Sequence, residues 1–98
     1  MTPSPVDVTA AALGTRARVE HTGGGCEALV APLEGGGHLV VCDNLSAPVW
    51  GDTDTAVAVF RRGAWQNGGE PIASAFGEDP LTPERLLDLI EAALAGVG

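Results

Sequence analysis

The chain contains no lysine and no tyrosine, a single methionine and only two cysteines, Cys26 and Cys42. Without lysine there is no P-loop, because that phosphate cradle needs a Gly-Lys-Ser/Thr run opening a helix. Two cysteines are too few for a disulfide framework, so a reducing, cytoplasmic setting is expected. No apolar run approaches the roughly 18 residues of a membrane span. Met1 to Val8 has neither the basic region nor the apolar stretch of a secretory signal. Positive charge is also scarce: five arginines stand against thirteen acidic residues, for a net charge of −8. That field repels phosphate backbones and anionic membranes, which disfavours nucleic-acid and membrane binding and favours a basic protein partner.

Aromatic residues are limited to Trp50, Phe60, Trp65 and Phe76, so the core must be built from Val, Leu, Ile and Ala. Those residues are plentiful. The chain is 98 residues long and 45% apolar, enough for one globular domain and too apolar for disorder. Residues 1–14 read as a lead-in, frayed or forming a short helix or strand, and residues 15–98 as a single α+β domain.

Within that domain, short β-rich runs alternate with glycine clusters, the pattern of an antiparallel meander of four to five strands. Arg16 to His21 stops at Gly23-Gly24-Gly25, Cys26 to Leu33 at Glu34-Gly35-Gly36-Gly37, and His38 to Cys42 at Asp43-Asn44. Thr55 to Arg61 is a fourth strand and Pro71 to Phe76 a fifth, with Asn67-Gly68 between them as a hairpin signal. A C-terminal amphipathic helix from about Pro83 to Ala95 is expected to pack on one face of the sheet. Thr82 is its N-cap, Pro83 its first residue, Leu81 and Leu86 a hydrophobic staple, and Gly96 its stop. Leu86, Leu87, Ile90, Ala93, Leu94 and Val97 form its apolar stripe.

The reactive side chains fall in the first three strands. With the first turn centred between Gly23 and Gly24, His21 lies opposite Cys26. With the second centred on Gly35, Cys42 lies opposite Ala28 and His38 opposite Pro32. The two-residue period then places Val19, His21, Cys26, Ala28, Val30, His38, Val40 and Cys42 on one face. His21, Cys26 and Cys42 gather at one end, and His38 is left roughly 13 Å along the strand. A four-ligand zinc site is thereby excluded, since all four side chains cannot reach one tetrahedral ion. Three readings of the smaller cluster follow: buried structural cysteines beside a histidine, a ligand or metal site on His21, Cys26 and Cys42 with Asp43 in reach only through a bulge, or a thiol nucleophile at Cys26 with His21 as base. In the last, the amides from Gly23 through Gly24 to Cys26 would bind an oxyanion. The structural reading is preferred, because no acidic or amide residue nearby orients the histidine. Trp50 and Trp65, in turn-rich segments, are candidate anchors for a protein partner.

The segment Val19-Glu20-His21-Thr22-Gly23-Gly24-Gly25-Cys26-Glu27-Ala28-Leu29-Val30 resembles a recurring stretch in small proteins of actinobacteria and their phages, in which a His-Thr-Gly-Gly-Gly-Cys turn joins two short strands. The resemblance covers the first half of the chain. No established activity belongs to that group, so none is transferred. It implies a phage or actinobacterial setting, with a host cytoplasm if phage-encoded, and a small accessory or host-interaction protein. The expected function is therefore a non-enzymatic, cofactor-free interaction module for a basic protein partner, with open strand edges that allow a homodimer.

Overall fold

The computed structural model describes residues 3–23, 26–43, 47–51, 53–78 and 80–97, with the side chains of Thr22 and Cys26 outside that description. Among the described residues, two helices and five strands follow one another as α1 (Pro5–Leu13), β1 (Arg18–Gly23), β2 (Cys26–Pro32), β3 (His38–Cys42), β4 (Thr55–Phe60), β5 (Ala73–Gly77) and α2 (Pro83–Ala95). The strands form one antiparallel sheet in chain order, β1-β2-β3-β4-β5. The expected α+β meander with a C-terminal helix is what the chain adopts.

The lead-in resolves into a helix. Ser4 caps α1 reciprocally: the Asp7 amide donates to Ser4 Oγ at 3.2 Å and the Ser4 amide donates to Asp7 Oδ2 at 3.3 Å. Pro5 occupies the first turn and Gly14 closes the helix in the left-handed region, φ 65°. Val8 is buried in the main core, and Pro3 accepts a hydrogen bond from Trp50 Nε1 at 2.8 Å. The segment before Gly14 is therefore bound to the domain through Pro3 and Val8.

At the other end of the chain, Thr82 Oγ1 accepts the Arg85 amide at 3.1 Å, Pro83 opens α2, and Leu81 and Leu86 are both buried. The apolar stripe is rotated from the expected one. Leu86, Leu89, Ile90 and Ala93 face the sheet, whereas Leu87, Leu94 and Val97 are 44%, 36% and 45% exposed. The apolar arc is wider than one contact face, and the sheet takes only its Leu89 side.

Strand pairing divides the sheet residues cleanly between two faces. Leu29, Leu39, Val41, Val57 and Val59 pack with Leu81, Leu86, Leu89, Ile90, Ala93 and Val8 beneath the helices. Ala28, Val30, Val40 and Phe60 form a second, smaller cluster on the opposite face, flanked by Cys42, Ala58, Ala64 and Trp65. That second face is covered by the β4–β5 connection. Asn67-Gly68 does not join the strands as a two-residue hairpin. It lies inside a longer loop closed by Ala64 N to Arg61 O at 2.9 Å and Gly69 N to Ala64 O at 2.7 Å, with the Ile72 amide reaching back to Val59 O at 2.8 Å. A Trp in the middle of this loop stacks inward on Phe60, and burying that ring favours the longer excursion over a tight turn. Gly37 is demanded by packing: a Cβ there would lie 2.5 Å from the Phe60 carbonyl oxygen.

The first turn departs from the expected pairing. β1 and β2 pair as Arg18↔Val30, Val19↔Leu29, Glu20↔Ala28 and His21↔Glu27, with a register shift before Gly23↔Cys26. His21 is thus opposite Glu27, one residue away from the Cys26 position expected. Because the side-chain period is two, that slip moves Val19 and His21 to the helix-side face, away from Ala28, Val30, Val40 and Cys42. The glycines carry no side chain that could hold the turn centre, and in the register adopted Glu20 lies on the far face, where it accepts from the Trp65 indole. The second turn is centred on Gly35, and Pro32↔His38 pair as expected. α2 consequently covers the face opposite to Cys42, rather than the one carrying it.

Candidate functional site

The residues that the sequence nominated are dispersed. His21 sits on the edge strand β1, exposed, with Nδ1 3.7 Å from Glu27 Oε2. Cys42 ends β3 opposite Ala56, half-buried on the other face. Burial and the adjacent Asp43 carboxylate both push its thiol above the ordinary value of 9.0, so it is a poor nucleophile at neutral pH. Cys26 pairs with Gly23 through its backbone, and its side chain lies outside the described residues, as does Gly24. His38 is buried at the opposite end of β3. Gln66 Nε2 lies 3.3 Å from its Nε2, and the imidazole Nδ1 has no partner among the described residues. No three His, Cys, Asp or Glu side chains among the described residues converge to hold a metal ion.

Both tryptophans are half-buried and hydrogen-bonded. Trp50 packs against the helix-side core and ties down Pro3. Trp65 lies on Phe60, ring centroids 5.2 Å apart and planes at 60°, and donates from Nε1 to Glu20 Oε1 at 3.2 Å. Glu20 is also paired with Arg18. This gives the loop a polar latch across the sheet to β1. Between loop and strand lies a shallow open cleft of about 380 Å³, lined by Glu20, His21, Trp65 and Gln66. Trp65 and Glu20 bond to each other across it, while His21 lies near Glu27 and Gln66 near His38, so the cleft chiefly secures the loop.

A larger surface lies on the helical layer. Leu87, Ile90, Glu91, Leu94 and Ala95 of α2 and Ala12 of α1 line an apolar groove of about 720 Å³. It exists because α1 packs beside α2 while presenting only Ala12 there, a side chain too short to cover Leu87 and Leu94. The expected stripe contained Leu87 and Leu94 but assigned them to the sheet. The width of the apolar arc, which also includes Leu89, was the available signal that one contact could not bury it all.

The sheet's two edges differ in the same spirit. β1 carries Arg18, Glu20 and His21 and a register irregularity, whereas β5 reads Ala-Ser-Ala-Phe-Gly without charge, and Phe76 is 65% exposed. No protein-family model matches the chain, and neither a curated protein nor a solved structure matches it. No helix among the described residues is long and apolar enough to cross a membrane.

Proposed function

We propose that the chain is a small acidic protein-interaction module without chemistry of its own, working in the cytoplasm, and that it serves as a phage accessory factor acting on a host or defence protein. The observation that carries the interaction reading is the groove between α1 and α2, where Leu87 and Leu94 stand exposed beside Ala12. Exposed apolar side chains gathered in a groove are what a partner surface requires, whereas isolated ones are ordinary. The phage setting rests on the resemblance around the His-Thr-Gly-Gly-Gly-Cys segment. Catalysis by Cys26 needed His21 opposite it, whereas Gly23 pairs with Cys26 and His21 faces Glu27.

The test is affinity capture from an actinobacterial host lysate with the tagged chain and with a Leu87→Asp/Leu94→Asp variant. Capture of a specific protein by the native chain and its loss with the variant support the reading. Capture that is absent, or equal with both, counts against it.

Self-association is a second property favoured by a specific observation. β5 is an uncharged open edge, and natural sheets guard such edges with charge, proline or bulges, as β1 does here. Antiparallel pairing of β5 with its counterpart in a second copy would join two sheets and bring the two Phe76 rings within diagonal reach.

A further inference from the structure

The groove between α1 and α2 is acidic at its rim as well as apolar at its floor. Glu84, Leu87, Glu91 and Leu94 recur along α2 at helical spacing and so share one stripe, with Asp88 beside them; Leu87 and Leu94 line the groove together with Glu91. All three acidic groups are exposed. Asp7 is the only charged residue of α1, and Arg85 is the sole cation on either helix. Arg85 and Leu87 are two residues apart, which at 3.6 residues per turn places them about 160° apart around α2. The one positive charge therefore points away from the groove.

We propose that this groove is the docking site for a basic amphipathic helix of a partner protein, with leucine-like residues along one face and Lys or Arg on its flanks. This rests on the interaction reading above and specifies its partner. The apolar face would fill the space beside Ala12, Leu87, Ile90 and Leu94, and the flanking cations would meet Glu84, Asp88 and Glu91. A second copy of this chain does not fit the same place, because it would set those three carboxylates against a like-charged surface in a molecule of net charge −8. The acidic rim likewise repels an anionic membrane.

Three synthetic peptides of about 18 residues, long enough for a stable amphipathic helix, test this by titration against the full chain. One is a Lys/Leu amphipathic helix. The second has its composition in an order without an apolar face, and the third keeps the apolar face but carries Glu for Lys. The first is expected to bind at least about tenfold more tightly than either other, and binding should weaken as salt rises. A Glu84→Gln/Asp88→Asn/Glu91→Gln variant should lose about tenfold and most of the salt dependence, as three exposed charge pairs warrant. A Leu87→Ser/Leu94→Ser variant should lose binding altogether while its circular dichroism is unchanged. Equal binding of the reordered peptide reduces the effect to charge attraction and overturns the proposal. Equal binding of the Glu/Leu peptide overturns the partner's chemistry while the interaction module stands. No binding of any peptide, with lysate capture lost in the Leu87→Asp/Leu94→Asp variant, overturns the basic-helix partner alone; if that capture fails too, the interaction reading falls with it.

Discussion

Leu86 and Leu87 are adjacent, chemically identical and on the same helix, yet one is fully buried and the other 44% exposed. Replacing each in turn by alanine measures directly which way α2 faces. Leu86 packs in the main core with no solvent access, so Leu86→Ala removes apolar contact and leaves a cavity, together costing about 2–5 kcal/mol. Against a total stability of roughly 5–15 kcal/mol, that is a large fraction. Taking about 3 kcal/mol, and about 4–8 °C per kcal/mol for a domain of this size, the midpoint should fall by about 12–24 °C. Leu87 faces the open groove, where its loss leaves no cavity and alanine's helix propensity offsets part of the lost burial; its cost should stay within about 1 kcal/mol. Urea unfolding followed by circular dichroism, with the slope compared between variants, reads both values. Equal losses would show that Leu87 is packed and the groove is not open. A small loss at Leu86 would show that α2 presents another face to the sheet.

Other consequences can be measured alongside. Thr55 is buried with its hydroxyl unpartnered among the described residues, so Thr55→Val should raise stability by about 1 kcal/mol in the same denaturation assay, and a loss would mean the hydroxyl is satisfied. Gly14 holds φ 65° with open space around its Cα, so Gly14→Ala should cost about 1 kcal/mol from backbone strain alone; a neutral result would place the α1 terminus in another conformation. The Cys42 thiol is raised by burial and by Asp43, so in a Cys26→Ser background it should react slowly with a thiol reagent at pH 8, and an ordinary rate would contradict its placement. By linkage its contribution to stability is intact below the ordinary thiol value of 9.0 and is lost as pH climbs past it, because the unfolded chain ionises first. Sedimentation at rising concentration should reveal dimers that strengthen with salt, since both copies are acidic, and that disappear with Phe76→Lys; dimers insensitive to that change would remove β5 from the interface.

The elements of this fold were legible where local chemistry is decisive. Thr82, Pro83 and Gly96 delimit α2, and the glycine clusters at 23–25 and 35–37 separate the first three strands. α1 was ambiguous because its alanine-rich run has little periodicity, although Ser4 and Asp7 formed a capping box that pointed to a helix. What stayed hidden was orientation. Three consecutive glycines do not choose between two registers, and Ala28 to Ala31 are buried on both faces, so no alternation in β2 exposes the choice. In the register adopted, Glu20 meets the Trp65 indole, a partner 45 residues away that no local pattern announces. That register separates His21 from Cys42 and dissolves the apparent reactive cluster. The same lack of tertiary information concealed that α2 would turn Leu89 toward the sheet and leave Leu87 and Leu94 outside.

The central claim, that the acidic groove of the helical layer is the functional surface, is tested most directly by mapping amide chemical shifts while the Lys/Leu amphipathic peptide is titrated in. The account predicts that the largest shifts cluster at Ala12, Leu87, Glu91 and Leu94, with β3 and the loop around Trp65 unmoved. Shifts centred instead on Glu20, Trp65 and Gln66, or on β5, would contradict it.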